Sequence, residues 1–313
     1  MQNAHTFIQE SLETDCRRLT AITSKAIKTM HTRHLLTGHT RVVGVIGDPV
    51  EHSRSPQMHN AAFTKAGLDY VYVPFRVRPD DLAQAIAGFK AIGIVGINVT
   101  LPHKQAVIPS LTSISREAEL IGAVNTLTFT DEGIHGDNTD APGVLRALEE
   151  SGDMSVPVDE GVVVLGAGGA ARAVVVALAL AGVASITIAN RTVEKAVSLA
   201  EEMCQKTGVS MHGMGLTDTR LPVAVAQSAL LINTATASMD TNVPLLVSAD
   251  WLQPNTIVYD IVYTPPVTPL MQAAAERECQ TLGGIGMLVH QGAIAFEKWT
   301  GVAPCTETMH QAL

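Results

Sequence analysis

The stretch GVVVLGAGGAARAVVVALALAG (residues 161–182) decides the fold. A short apolar run leads into Gly166 and Gly168, and a long segment rich in alanine and valine follows. Together with Ala171, the two glycines form a G-x-G-x-x-A pattern. This pattern is typical of a strand–turn–helix unit whose helix N-terminus binds a pyrophosphate. A tight turn without a ligand is the alternative, but the apolar segments on both sides favour dinucleotide binding.

Segments with strand and helix character alternate on both sides of this unit. Strands are predicted at residues 41–48, 69–77, 94–102, 162–165, 185–190, 228–233 and 256–263, and helices at residues 55–68, 80–93, 170–182, 192–206 and 286–299. Residues 126–137 differ, because two short apolar runs flank a turn at Gly133 and predict a hairpin. The alternation predicts an α/β protein with mainly parallel strands.

A segment rich in Gly, Ser, Asp and Pro at residues 149–160 separates two alternating series. We therefore expect residues 41–145 to form one α/β domain and residues 146–285 to form a Rossmann-type dinucleotide-binding domain. The last predicted helix could pack on either domain. Residues 1–40 mix acidic with basic side chains and contain no apolar core for secretion. They predict a helical or loosely ordered N-terminal extension, with a targeting peptide as the alternative.

Composition limits the classes of function. The 313 residues are 46% hydrophobic and 16% charged, and the net charge of -9 argues against a nucleic-acid partner. The 4 cysteines are scattered without zinc spacing, which indicates reduced thiols in a cytoplasmic protein. The apolar stretch at residues 170–183 contains Arg172 and is too short to span a membrane. No metal site is expected, since His52 and His59 lack carboxylates at ligand spacing and are interpreted as structural or turn residues.

The end of the strand after the glycine motif indicates which dinucleotide binds. NAD sites usually have a carboxylate there that accepts hydrogen bonds from the ribose 2′-hydroxyl. Here the strand ends with Asn190, Arg191 and Thr192, and Lys195 follows. Arg191 and Lys195 would lie one helical turn apart around a 2′-phosphate. Solvated basic residues around a helix cap at Thr192 are the alternative, and the sequence favours NADP.

Polar side chains cluster at the ends of predicted strands in the first half of the chain. The clusters are HSRSP (residues 52–56), NVTLPHK (98–104), GAVNT (122–126) and GDNTDAPG (136–143). In open α/β sheets, ligands bind outside the carboxyl ends of the strands. The hydroxyls, amides, aspartate and lysine of these clusters suit a small polyhydroxylated molecule. Lys104 could donate a proton or stabilise an oxyanion, although seen alone it could be a solvated lysine that opens a helix.

Together these segments closely resemble the shikimate dehydrogenase family over about residues 41–301. The resemblance includes HSRSP, NVTLPHK, GAVNT, DNTD, GAGGAARA, NRT, DIVYTPPVTPL and GGIGMLVHQGAIAFEKWTG. It implies an oxidoreductase of aromatic amino acid biosynthesis, which reversibly reduces 3-dehydroshikimate to shikimate with NADPH. It also implies that the C-terminal helices, residues 286–313, return to the substrate domain and leave the cofactor in the cleft between domains. The expected partners are these small molecules, with neither a membrane nor a nucleic acid, and the chain is expected to be a monomer or homodimer.

The resemblance also implies roles for individual residues. Lys104 and Asp140 would be the catalytic acid–base pair. The substrate carboxylate would be bound by Ser53, Ser55 and Tyr263. The hydroxyls of the substrate ring would be bound by Asn98, Thr100, Asn125 and Gln291. The cofactor would contact Gly166, Ala167, Gly168, Gly169, Ala170, Asn190, Arg191, Thr192, Lys195, Ile261, Gly284 and Met287.

One segment departs from the family pattern near the nicotinamide. Ala235 stands where the family has a threonine, and Ser238 stands where it has a glycine. Both differences bear on cofactor affinity. A quinate/shikimate dehydrogenase that uses NAD(P) in quinate catabolism is an alternative. A regulatory binding module without activity is a further one.

Overall fold

The computed structural model describes residues 36–152, 156–239 and 243–313. Residues Arg41–Leu313 form one compact unit. Most of the predicted N-terminal extension lies outside the described residues. Within its described part, the Thr37 N–H donates to the Thr40 hydroxyl in a short turn.

The first sheet has six strands in the order β2-β1-β3-β5-β6-β4. Their bounds are β1 Arg41–Gly47, β2 Tyr70–Arg76, β3 Gly96–Val99, β4 Ser113–Ile114, β5 Thr126–Phe129 and β6 Ile134–Asp137. Strands β1, β2 and β3 run parallel, whereas β5 is antiparallel to both β3 and β6. The predicted hairpin over residues 126–137 is therefore confirmed, and the sheet is mixed.

The helices of this half follow the strands, and three of them begin within the polar clusters. The helices are α1 Ser55–Ala66, α2 Leu82–Ala91, α3 His103–Ala106, α4 Arg116–Ile121 and α5 Asp140–Glu150. Helix α1 begins after β1 with a proline in its first turn and ends at Gly67, whose positive φ of 66° suits glycine. Helix α3 follows β3, and α5 follows β6.

The second sheet is parallel throughout, in the order β12-β11-β10-β7-β8-β9. Its strands are β7 Gly161–Leu165, β8 Ser185–Asn190, β9 Ser210–Gly215, β10 Ser228–Asn233, β11 Ile257–Asp260 and β12 Gln280–Gly283. Its helices are α6 Gly169–Leu180, α7 Val193–Thr207, α8 Leu221–Ala226 and α9 Pro269–Ala275. The strand order reverses between β7 and β10, which is where doubly wound sheets bind dinucleotides. The predicted α/β fold, with its Rossmann-type second half, is confirmed.

The chain ends with α10 Ile285–Thr300 and α11 Thr306–Gln311. Helix α10 packs against α5 and α1 of the first half of the chain, and its Met287 joins the core beside the second sheet. The Trp299 indole N–H donates to the Leu127 carbonyl of β5 at 3.0 Å. Within the described residues, no helix is long and apolar enough to cross a membrane.

Several predicted element boundaries were wrong. The strand predicted at residues 256–263 ends at Asp260, because the Asp260 carboxylate accepts from the Val262 N–H at 3.1 Å and turns the chain. The strand predicted at residues 94–102 covers only Gly96–Val99. Strand β9 was missed, since SMHGMG has neither a continuous apolar run nor a regular alternation. At Gly213, a side chain would overlap the backbone of helix α7, so this strand needs glycine there.

Candidate functional site

An ion pair joins two helix starts at the carboxyl edge of the first sheet. The Lys104 ammonium in α3 lies 2.6 Å from Oδ2 of Asp140, the first residue of α5. The side chains are 15% and 7% exposed, respectively. Lys104 does lie in a short helix, as expected for a solvated lysine that opens a helix, but its ammonium is paired and largely buried. It retains enough exposure to reach a bound molecule.

Two asparagines hold the Asp140 carboxylate and backbone in place. The Asn125 side-chain amide donates to Oδ1 of Asp140 at 2.8 Å, so each carboxylate oxygen has its own donor. The Asp140 N–H donates to Oδ1 of Asn138 at 3.0 Å. Oδ1 of Asn125 accepts from the Thr139 N–H at 2.8 Å. Asn125 therefore uses much of its hydrogen-bonding capacity to orient Asp140.

The Asn98 side chain is also fixed by its neighbours. Its amide nitrogen donates to the Asn125 carbonyl at 3.2 Å and to the Thr126 hydroxyl at 3.1 Å. Its oxygen accepts from the Tyr72 hydroxyl at 2.7 Å. Because an amide oxygen has two acceptor positions, Asn98 can still accept one hydrogen bond from a ligand.

The predicted carboxylate ligands lie around the start of α1. The Ser55 N–H donates to the Ser53 hydroxyl at 3.3 Å, and the Ser55 side chain is buried. Burial raises the pKa of Tyr263, while the nearby Arg54 guanidinium acts in the opposite direction. Tyr263 follows β11 in the second half of the chain, and it is near enough to Arg54 for the guanidinium charge to act on its hydroxyl. Arg54 adds a positive charge that sequence reasoning did not assign.

Gln291 and Thr100 complete the predicted substrate set. Gln291 lies on α10 where that helix crosses α5, and a side chain at Gly143 would come within 2.9 Å of Cβ of Gln291. Glycine at that position lets the two helices approach, which brings Gln291 beside the helix that begins at Asp140. The Gln291 amide donates to the Leu288 carbonyl at 2.7 Å. Thr100 is partly buried directly after β3, and its methyl group packs near Gly47.

The glycine loop follows β7 at the point where strand order reverses. Gly166 has a φ of 110°, a conformation that favours glycine, and a side chain there would overlap the Thr234 hydroxyl. That hydroxyl donates to the Leu165 carbonyl at 2.7 Å. Around Gly168, the space that a side chain would fill is open. The loop therefore leaves room for a ligand at the N-terminus of α6.

The glycine loop and the lysine lie side by side. A Cβ atom at Gly169, the first residue of α6, would be 3.7 Å from Cδ of Lys104. The folded chain thus brings the ion pair of the first sheet next to the dinucleotide motif of the second. This proximity is the geometry that a reaction between a substrate and a dinucleotide requires.

The remaining predicted cofactor residues fall into two groups. Arg191, Thr192 and Lys195 are exposed where β8 leads into α7, and the Asn190 amide donates to the Thr192 carbonyl at 3.0 Å. A second group lies after β11 and β12, with Ile261 partly buried and with Gly284 and Met287 buried. Ala167 and Ala170 are partly buried in the glycine loop and the first turn of α6.

The segment that departs from the family pattern is held by the side chain of Asn233. The Ala235 N–H donates to Oδ1 of Asn233 at 3.1 Å, and the Asn233 amide donates back to the Ala235 carbonyl at 3.3 Å. The Asn233 amide also donates to Asp260 at 2.9 Å. The alanine at position 235 thus still forms these hydrogen bonds through its backbone, because they need no side-chain hydroxyl.

Sequence reasoning missed several residues that orient the site. Tyr72, Thr126 and Thr139 contact predicted ligands, yet each is one polar position within or beside a strand. The recurrence of threonine in GAVNT and DNTD was the available signal for two of them. Among the described residues, no group of three or more His, Cys, Asp or Glu could hold a metal ion.

Comparisons with known proteins identify the family of this chain. The family models described as "Shikimate dehydrogenase substrate binding domain", "Shikimate / quinate 5-dehydrogenase" and "Shikimate 5'-dehydrogenase C-terminal domain" match residues 45–127, 153–244 and 284–313. A shikimate dehydrogenase (NADP(+)) of Methanopyrus kandleri is 48% identical over 276 residues, which cover 88% of this chain and 95% of that protein.

Two solved structures are similar over nearly the same length. A crystal structure of a shikimate dehydrogenase in complex with NADP+ has a TM-score of 0.82 at 43% identity, covering 89% of this chain and 96% of the other. The shikimate 5-dehydrogenase of Listeria monocytogenes, in complex with shikimate and NAD, has a TM-score of 0.82 at 39% identity, covering 88% and 97%. The chain therefore belongs to the shikimate dehydrogenase family.

Proposed function

We propose that this protein reversibly reduces 3-dehydroshikimate to shikimate with NADPH, as a step of aromatic amino acid biosynthesis. The observation that carries the proposal is the Lys104–Asp140 ion pair beside Gly169 of the dinucleotide loop. The similar proteins are a shikimate dehydrogenase (NADP(+)) and a shikimate dehydrogenase in complex with NADP+, which supports shikimate as the substrate and NADP as the cofactor.

The residues around the glycine loop fit NADP. Gly168 is exposed and leaves its backbone accessible, and the N–H groups of the first turn of α6 would bind the pyrophosphate. Strand β8 ends without a carboxylate, while Arg191 and Lys195 are exposed there and suit a 2′-phosphate. Ile261, Gly284 and Met287 would line the nicotinamide side. When bound, NADPH supplies the hydride.

Lys104 supplies positive charge and a proton. Reduction of a ring carbonyl develops an alkoxide, which an ammonium stabilises and then protonates. Asp140 holds that ammonium at 2.6 Å, and Asn125 fixes the carboxylate from its other oxygen. In the oxidation direction, Lys104 takes the hydroxyl proton back.

The substrate would be oriented by groups at both ends of its ring. Ser53 and Ser55 would donate to the carboxylate together with Tyr263, and the charge of Arg54 favours an anion there. Asn98, Thr100, Asn125 and Gln291 would contact the ring hydroxyls. Since Asn98 has one acceptor position left, it accepts a hydrogen bond from a hydroxyl rather than donating one.

The domain assignment follows the same scheme. Residues 41–145, joined by residues 286–313, would bind the substrate, and residues 146–285 would bind NADP. The packing of α10 on α1 and α5 supports this division. We expect a cytoplasmic monomer or homodimer whose partners are small molecules.

Paired assays on the purified protein test this function. Reduction of 3-dehydroshikimate with NADPH is measured beside oxidation of quinate with NAD. We expect turnover with the first pair to exceed the second by at least about tenfold, because Arg191 and Lys195 favour a 2′-phosphate. Dominant turnover of quinate with NAD would indicate the catabolic enzyme. Shikimate binding without turnover of either pair would indicate a regulatory binding module.

A further inference from the structure

Two cationic side chains from the second half of the chain bind the end of helix α4 in the first half. Nε of Arg172, in α6, donates to the Ile121 carbonyl at 2.6 Å, and the Lys206 ammonium, in α7, donates to the Leu120 carbonyl at 3.2 Å. Leu120 and Ile121 are the last two residues of α4. The last carbonyls of a helix have no partners within it and carry partial negative charge, which suits cations.

Glu202 of α7 holds both cations in place. Its Oε1 accepts from Nη2 of Arg172 at 2.5 Å and pairs with the Lys206 ammonium at 2.8 Å. The hydrogen bond from Arg172 lowers the pKa of Glu202, so the carboxylate stays ionised at neutral pH. The Arg172 side chain is only 13% exposed, and it uses separate nitrogens for Ile121 and Glu202. These two contacts fix the orientation of the planar guanidinium.

The chain that leaves α4 leads directly to the predicted catalytic pair. Three residues after the helix ends, the Val124 N–H donates to the Lys104 carbonyl at 2.8 Å. The next residue is Asn125, whose amide donates to Oδ1 of Asp140 at 2.8 Å. The end of α4 is thus connected to the backbone of Lys104 and to the carboxylate that pairs with it.

At its other end, Arg172 belongs to the glycine motif. Helix α6 begins at Gly169, and the Arg172 N–H donates to the Gly168 carbonyl at 3.0 Å in the first turn. The N–H groups of this turn would bind the pyrophosphate. Gly122, which ends α4 with a φ of 68°, leaves room for the guanidinium, since a Cβ atom there would lie 2.9 Å from Nη2 of Arg172. One helical turn therefore carries the proposed pyrophosphate donors and the side chain that contacts α4.

Apolar packing also joins α4 to α6. Ile121 and Ala123 lie in the same buried cluster as Ala171 and Val174. Apolar contact has no preferred direction, so it leaves two packed surfaces free to shift slightly along each other. Charge-assisted hydrogen bonds are directional, and a guanidinium bound on two sides fixes one register. The register between α4 and α6 therefore depends on Arg172.

We infer that Arg172 is a positioning residue that sets the distance between the cofactor bound at α6 and the substrate carbonyl at Lys104. The inference rests on the proposed function, because this distance matters only when hydride passes from one ligand to the other. A displacement of about 1 Å can slow such a step about a hundredfold. Most residues proposed for each ligand lie on one side of the Arg172 contact, so the binding of each ligand alone should depend little on it.

Arg172→Met removes the charged fork and keeps an unbranched side chain. In single-turnover reduction at saturating 3-dehydroshikimate and NADPH, we expect the rate constant to fall about tenfold or more. The Kd of shikimate and the Kd of NADPH, each measured alone by calorimetry, should stay within about twofold of wild type. A rate constant within about twofold of wild type overturns the inference. So do Kd values that rise as much as the rate falls, because the side chain would then support the binding sites themselves.

Arg220→Met is the control. Arg220 is also an arginine bonded to a carboxylate, but its partner is Asp218, two residues earlier, at 2.7 Å. Its removal breaks an arginine–carboxylate pair without touching α4 or α6. The single-turnover rate constant should stay within about twofold of wild type. Thermal unfolding of both variants checks that each remains folded.

Arg172→Lys keeps the test decisive if Arg172→Met does not fold. An ammonium keeps the positive charge but cannot bind Ile121 and Glu202 through a planar fork, so we expect the rate constant to fall about threefold. A folded Arg172→Lys protein with the wild-type rate would overturn the inference. Wild-type protein that does not reduce 3-dehydroshikimate with NADPH overturns the proposed function itself, whereas an active wild type beside an equally active Arg172→Met variant overturns only the inference.

Discussion

The Lys104 ammonium and the Asp140 carboxylate lie 2.6 Å apart, although 36 positions separate them in the chain. One belongs to α3 and the other begins α5, and these helices follow β3 and β6 of the same sheet. The site is thus assembled by the ends of separate strands, and helix α10 and the glycine loop close around it.

Replacing Lys104 tests the acid–base role. We expect Lys104→Ala to lower kcat about a hundredfold or more, because the developing alkoxide loses both its positive partner and its proton donor. Steady-state kinetics with 3-dehydroshikimate and NADPH measure this effect. Lys90→Ala removes an exposed lysine from the last turn of α2 and should leave kcat unchanged. A Lys104→Ala kcat within threefold of wild type would contradict the role.

Gly143 sets the approach of α10 to α5. Gly143→Ala would bring a Cβ atom within 2.9 Å of Cβ of Gln291 and 3.0 Å of its backbone nitrogen. We expect the free energy of unfolding to fall by about 1–3 kcal/mol. We also expect the KM for shikimate to rise, because Gln291 and Asp140 move apart. Urea unfolding and steady-state kinetics measure the two effects.

Gly88 provides the comparison for that substitution. It is also a glycine inside a helix, but it is exposed, and a side chain there would meet open space. Gly88→Ala should raise stability by about 0.5–1 kcal/mol through reduced freedom of the unfolded chain. Equal effects at the two positions would show that α5 and α10 can adjust to the added methyl group.

Arg191 should determine the choice between the two nicotinamide cofactors. We expect Arg191→Ala to raise the KM for NADPH about tenfold or more, because the 2′-phosphate loses a charged hydrogen-bond donor. The KM for NADH, which has no such phosphate, should change little. Arg277→Ala, an exposed arginine before β12 at the opposite edge of the sheet, is the control. A parallel change in both cofactor KM values would argue against specific recognition of the phosphate.

His59 makes stability depend on pH. Burial lowers the pKa of His59 from 6.5 to about 3, and both ring nitrogens lack a hydrogen-bond partner. Below pH 6.5 the unfolded chain therefore binds a proton that the folded protein excludes, so stability falls as the pH drops from 6.5 toward 3. From about pH 7 to about pH 5, this one group lowers the free energy of unfolding by about 2 kcal/mol.

His59→Phe should remove the part of the pH-dependent loss of stability that the buried histidine causes. A phenyl ring suits the surrounding aromatic rings of Phe63, Tyr72 and Phe296. Urea unfolding at the two pH values compares wild type with the variant, and His212→Gln, at an exposed strand position, is the control. If His59→Phe loses as much stability as wild type between the two pH values, the buried histidine is not the cause.

The sequence alone determined much of this protein. The glycine motif between an apolar strand and an apolar helix predicted the parallel second sheet, because period and turn chemistry are local properties. The polar clusters at strand ends predicted a candidate site at the carboxyl edge of the first sheet, where the structure places Lys104 beside Asp140. Strand β9 was missed because its Gly213 is required by contact with helix α7, which the local pattern does not show. The end of β11 was missed because the Asp260 carboxylate, which turns the chain, is held by the Asn233 side chain from a neighbouring strand.

Only the tertiary structure decided how the site residues act on one another. Tyr72 looked like one member of an alternating strand, yet its hydroxyl donates to Oδ1 of Asn98. Asn125 was predicted as a ligand, yet its amide orients Asp140. Local pattern identifies the residue types that a strand end presents. Which of these groups donates a hydrogen bond to which depends on distances between separate elements, and only the packing of those elements fixes these distances.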